Sequence, residues 1–204
     1  MSATRLIGGL LGLLLGAASA PAPAQAEIAP LLAAAHAQIG VTKLYDGRYE
    51  RIAFPGGDVP LERGVCTDVV IRALRAVGVD LQVEVHRDMR TNFQAYPQIW
   101  GLSRPDPNID HRRVPNLETF LRRHARSFTP QENPDSFLPG DFVSWRLERG
   151  EPHIGIVSDL RSADGRRPLI VHNIGAGTRA EDVLFQWRMI GHFRYFSAPD
   201  ATPQ

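Results

Sequence analysis

His153-Ile154-Gly155-Ile156-Val157-Ser158-Asp159, a connection carrying Asp164-Gly165, then Leu169-Ile170-Val171-His172-Asn173-Ile174: this stretch decides the fold. Each run alternates with period two and is rich in β-branched residues, so each reads as a strand. The short connection makes the two strands hairpin partners. Alternation places His153, Gly155 and Val157 on one face and the two isoleucines on the other. A two-residue turn at Asp164-Gly165 would set His172 opposite Val157. The two imidazoles would then lie about 13 Å apart, at roughly 3.3 Å per residue. Bringing them together requires a longer loop, centred on Ser162-Ala163, or a bulge.

Phe142 to Leu147 and Gly191 to Phe196 read as two further strands. Everything helical lies earlier. Residues 28–39 carry apolar positions at helical spacing and stop at Gly40, and a second helix is expected over 116–126 with Asn116 as its N-cap. The intervening 82–138 region holds several X-Pro pairs and reads as mostly loop. Helices first and strands last argue for an α+β fold with an antiparallel sheet, not for βαβ units.

Between them stands Arg63-Gly64-Val65-Cys66-Thr67-Asp68-Val69-Val70-Ile71-Arg72-Ala73-Leu74-Arg75-Ala76-Val77-Gly78. Apolar residues at 65, 69, 70, 73, 74 and 77 trace one helix face, and Gly78 stops it. Cys66, the single cysteine of the chain, falls in the first turn. Unpaired N–H groups and the positive end of the dipole there favour the thiolate, so a lowered thiol pKa is expected. A buried, inert cysteine is the competing reading.

The N-terminus bears on that choice. Residues 1–26 read as a signal peptide: Arg5, an apolar run from Leu6 to Ala18, then small residues ending in Ala24-Gln25-Ala26. An exported, periplasmic or secreted chain with one cysteine forms no internal disulfide, and an idle thiol in an oxidising compartment is a liability. This favours a working Cys66. Residues 27–198 suffice for a single domain, with 199–204 as a disordered tail. Charges balance at 23 basic to 22 acidic residues, which gives no argument for nucleic acid or an anionic membrane as partner. No apolar run after the signal segment is long enough to span a bilayer.

The residue types present fit nucleophilic acyl transfer without a cofactor. Cys66 would attack a carbonyl, His153 would take and return the proton, and His172 would orient the His153 ring. Asn173 and Asp159 rival His172 for the orienting role. The Cys66 N–H is a candidate oxyanion donor. Each histidine alone is more commonly a solvated or core residue.

Gly64 to Leu74 resembles the core motif of a bacterial family of unknown function, DUF 1287. So do Trp100-Gly101, Asn108-Ile109-Asp110-His111-Arg112-Arg113-Val114-Pro115-Asn116-Leu117, Pro139-Gly140-Asp141, the two histidine strands and Gly191-His192-Phe193-Arg194-Tyr195. The resemblance runs over about residues 30–196. That family looks like a distant branch of the NlpC-type, papain-like cysteine peptidases and amidases. The resemblance implies a papain-like fold, with the nucleophile helix before the sheet. It also implies a peptidoglycan peptide as substrate, cut at an amide bond; a monomer is expected. Val65-Cys66-Thr67 departs from the Asp-Cys-Ser usual in the larger group, and the 82–138 insertion leaves the scissile bond open.

Other residues carry smaller expectations. Tyr45, Trp100, His111 and Arg112 are the candidate substrate contacts, with Asp110-His111-Arg112-Arg113 either a carboxylate clamp or a loop-anchoring ion-pair cluster. Tyr96 is a further groove candidate. Asp68 reads as a first-turn dipole partner, and Arg72 and Arg75 as solvated helix face. Two rival classes remain: a metal site from His111, His153 and His172, with Cys66 or Asp110, and a non-catalytic wall-binding or partner-binding module on the same fold.

Overall fold

The computed structural model describes residues 23–196. Residues 1–22 of the expected signal peptide 1–26, and the expected tail 199–204, lie outside the described residues. The described chain is α+β: helices α1 (Pro23–His36), α2 (Cys66–Arg75), α3 (Leu81–Asn92) and α4 (Val114–His124) pack on a six-stranded antiparallel sheet. Its strands are β3 (Arg126–Phe128), β4 (Phe142–Arg146), β5 (Pro152–Arg161), β6 (Pro168–Asn173), β7 (Thr178–Glu181) and β8 (Arg188–Arg194), in the order β3-β8-β4-β5-β6-β7. A separate two-residue parallel ladder joins β1 (Leu44–Tyr45) to β2 (Arg63–Gly64), just before α2. None of the described helices is long and apolar enough to cross a membrane.

Alternation in β5 gives the sheet two cores. Ile154 and Ile156 face the helices, where they join Leu31, Val69, Val70, Ala73, Leu117 and Phe120. Val157 faces the other way, with Val143, Trp145, Ile170 and Leu184. The segment after β7 covers this second face, pinned by the Trp145 indole N–H donating to the Leu184 carbonyl at 3.0 Å. His153 shares the second face, and its ring lies 5.9 Å from that of Trp145 and 5.8 Å from that of Trp187.

The hairpin contains the expected bulge. Ser162 N–H to Arg167 O, at 2.9 Å, and the Arg161–Pro168 pair centre the turn on Asp164-Gly165. Further in, Val157 pairs with Ile170, so four steps along β5 match two along β6. Extending that inner register sets His172 opposite Gly155 rather than Val157. His172 thus becomes a diagonal neighbour of His153, a separation that ring side chains bridge. Gly155 makes this possible: a Cβ there would lie 2.5 Å from Ile170 Cγ2 and 3.2 Å from His172 Cβ.

The helical region differs from the sequence expectation in four places. Segment 82–138 is not mostly loop, because α3 fills its start. Asp80 caps α3 by accepting from Gln82 N–H at 3.1 Å, and Leu81, Val85 and Met89 bury one stripe at i, i+4, i+8. Helix α4 begins at Val114, not Asn116, since Pro115 suits a first turn and Asn116 instead donates to Asp110 O. Helix α1 begins at Pro23 and ends at His36, short of the expected 39. Arg72 is not solvated but 9% exposed; it is held by Asp58, the Thr42 hydroxyl and the carbonyls of Val59 and Arg63.

Candidate active site

Cys66 opens α2 behind Val65, whose extended backbone places the sulfur at the helix mouth. Valine has no side-chain acceptor, so only the reciprocal half of a capping box forms: Asp68 Oδ2 accepts Val65 N–H at 2.7 Å. The same carboxylate takes a bidentate pair from Arg112, at 2.8 and 2.9 Å, with both side chains 3% exposed. Asp68 is therefore more than a dipole partner, because it ties helix α2 to the 110–112 turn.

The start of β5 meets this helix. Residues 152–155 pair with β4, while the β5–β6 pairs begin at Ile156. The backbone N–H groups of Ile154 and Thr67 and the Tyr45 hydroxyl lie near the Cys66 sulfur. Ile154 belongs to the same core as Cys66 on the helix side of the sheet, whereas the His153 ring lies against Trp145 and Trp187 on the other face. These donors favour the thiolate, as expected at a helix start, but burial outweighs them. Cys66 is 2% exposed, and burial pushes its thiol up to about 11. The expected resting thiolate is therefore corrected to a protonated thiol. Burial also holds the Tyr45 phenol above its ordinary range, and the neighbouring sulfur adds to the effect.

His153 and His172 meet. His153 Nε2 lies 2.8 Å from His172 Nδ1, and both rings are buried. Beyond them stands Glu181 on β7, with Oε2 3.0 Å from His172 Nε2, close although off the ideal N–H axis. A carboxylate can only accept. It therefore selects the His172 tautomer protonated at Nε2, which leaves Nδ1 to accept from His153 Nε2–H. His153 Nδ1 then carries the lone pair. Burial holds His153 neutral, down to about 3, with the neighbouring His172 adding to the effect; burial likewise lowers His172. A neutral imidazole is the form that can take a proton.

The sequence reading missed Glu181. Its cue is the Gly175-Ala176-Gly177 turn followed by the alternating Thr178-Arg179-Ala180-Glu181, a short strand in register with β6 through His172–Arg179 and Ile170–Glu181. The rival orienting groups lie elsewhere. Asn173 donates to Gly64 O and so fastens β6 to β2. Asp159 is exposed and approaches His36 at 3.5 Å.

Two cavities flank the site. One, of about 450 Å³, is lined by Cys66, Tyr45, Trp100, Ile109 and Arg113. The other, of about 410 Å³, is lined by His153, Tyr45, Glu148, Ile174 and Trp187. Tyr45, Glu151 and Pro152 belong to both and form the wall between them. Tyr45 and Trp100 thus lie where substrate contacts were expected, whereas Tyr96 is a core residue that donates to Asp88 at 2.6 Å. Arg112 touches the cavity, but Asp68 and the carbonyls of Asp46 and Arg48 occupy its guanidinium, so the clamp reading gives way to an anchor. His111 is buried in the 110–112 turn against α2, α3 and α4 and reaches neither cavity. The His111-His153-His172 metal set is not assembled: among the described residues no three His, Cys, Asp or Glu side chains are placed to hold an ion.

Burial holds His111 down to about 4, against about 6.5 in an unfolded chain. The folded state refuses a proton that the unfolded state accepts, so stability falls as pH drops from about 6.5 towards 4. The expected loss from this residue is roughly 3 kcal/mol. Urea midpoints measured from pH 7 to 4.5 should fall less steeply for His111→Phe than for wild type. Parallel slopes would show that His111 does not contribute.

A family model described as a domain of unknown function, DUF1287, matches residues 32–195. The chain is also 60% identical, over 162 residues, to the uncharacterized protein YijF of Escherichia coli (strain K12); the alignment covers 79% of this chain and 78% of that protein. The model's span takes in Cys66, His153, His172 and Glu181 together. The chain belongs to the DUF1287 family.

Proposed function

We propose that this chain is a papain-like, NlpC-type cysteine hydrolase that cuts an amide bond in the peptide part of bacterial cell wall after export to the periplasm or medium. The observation that carries the reading is that Cys66 at the mouth of α2 and the His153–His172–Glu181 series line two cavities that share Tyr45, Glu151 and Pro152. Cys66 Sγ attacks the substrate carbonyl carbon while His153 Nδ1 takes the thiol proton. The Cys66 N–H and the Tyr45 hydroxyl stabilise the oxyanion. The C–N bond then breaks, His153 returns the proton to the leaving amine, and water hydrolyses the thioester. Burial favours the neutral thiol and neutral imidazole over the ion pair, so the proton leaves sulfur only as Sγ bonds to the carbonyl carbon.

A non-catalytic binding module is the second reading, favoured by the burial of Cys66. Digestion of purified cell wall followed by fragment mass analysis separates the two. New paired amine and carboxyl ends should form with wild type and not with Cys66→Ser. Equal ends from both, or none from either, would contradict the hydrolase reading.

A further inference from the structure

Arg113 differs from its neighbour Arg112 in having donors to spare. Its guanidinium carbon lies over the Trp100 ring, 4.1 Å from the centroid. One arm is fixed by Asp110 at 3.0 Å, and the side chain is 18% exposed. Its other nitrogens have no partner among the described residues, nor are they sealed off as unpaired buried atoms. The side chain lines the 450 Å³ cavity into which Cys66 opens. Helix α4 starts at the next residue, so the positive end of its dipole faces the same space, as does that of α2. Glu151 is the acidic group on this wall, on the boundary shared with the second cavity. A guanidinium held over an aromatic ring with donors free is prepared for an anion such as a carboxylate.

The chemistry fixes which part of the substrate sits there. His153 protonates the leaving amine, so the leaving group occupies the cavity that His153 lines. The acyl part is left to the Cys66 side. We infer that Arg113 forms a carboxylate subsite, selecting substrates whose acyl portion carries a free carboxylate close to the carbonyl under attack. This rests on the hydrolase reading for the direction of the substrate, but not for the binding itself.

The probes are two soluble peptide amides that differ in one group, acetyl-alanyl-glutamyl and acetyl-alanyl-glutaminyl aminomethylcoumarin. Wild type should favour the carboxylate form by about tenfold to a hundredfold in kcat/KM, the usual worth of a charge-assisted pair. Arg113→Met should remove that preference while keeping turnover of the amide form, and Arg113→Lys should restore part of it. Equal loss on both probes, or no preference in wild type, would overturn the subsite. Calorimetry on Cys66→Ala separates this from the hydrolase reading. Tighter binding of acetyl-alanyl-glutamate than of its glutamine analogue, abolished by Arg113→Met, supports the subsite even if no chain cleaves either amide. Equal binding of the two ligands counts against it.

Discussion

Replacing His153 with alanine should lower turnover about 10³- to 10⁴-fold at pH 7, at the upper end of what one general base contributes. The size follows from the burial of the nucleophile. A thiol held at about 11 is ionised at pH 7 to only on the order of one part in 10⁴. An enzyme with a preformed thiolate would lose less. On the proposed mechanism the base must create the nucleophile, so removing it leaves almost none. Glu181→Gln should give a smaller loss, about 10- to 100-fold, as supporting partners commonly do. A glutamine amide can donate to His172 Nε2, which turns the relay round and places a proton on His153 Nδ1. Glu181 is 35% exposed, so water competes for the same position and limits the effect. Single-turnover rates for the two variants test the order. A His153→Ala rate within tenfold of wild type would contradict the assignment of the base.

Asp68→Ala should destabilise the fold by about 3–5 kcal/mol, the typical cost of breaking a buried ion pair from one side. Two losses coincide. The Arg112 guanidinium loses both of its short charged contacts while remaining buried. The Val65 N–H loses its acceptor at the entry to α2. The double variant Asp68→Leu, Arg112→Met should recover part of the loss, because replacing both charges removes the orphan. Denaturant unfolding of the three proteins measures this. A loss below about 1 kcal/mol for Asp68→Ala would show that the pair does not hold the helix mouth.

The parts of this architecture written in local pattern were legible. Helix α2 follows from the apolar spacing at 65, 69, 70, 73, 74 and 77, and β5 and β6 from strict alternation. The bulge was legible too, as the condition for His153 and His172 to meet. The rest depended on pairings between distant residues. Arg72 and Arg112 look like solvent-facing charges in sequence, yet each is buried because a distant carboxylate, Asp58 or Asp68, faces it. Glu181 escaped because β7 has four residues and little apolar signal. Helix α3 escaped because its stripe of Leu81, Val85 and Met89 is one residue wide and surrounded by charge. The thiol pKa went the other way from expectation because helix position is a local property and burial is not.

The relation between sulfur and imidazole is open to one direct measurement: the second-order rate at which iodoacetamide alkylates Cys66, followed by mass spectrometry across pH 6 to 9 in wild type and His153→Ala. Proton transfer from Sγ to the ring predicts modification in wild type at neutral pH at least about tenfold faster than in the variant, with the variant catching up only as alkali ionises the thiol unaided. Identical profiles for the two proteins, or a sulfur inert in both throughout that range, would contradict it.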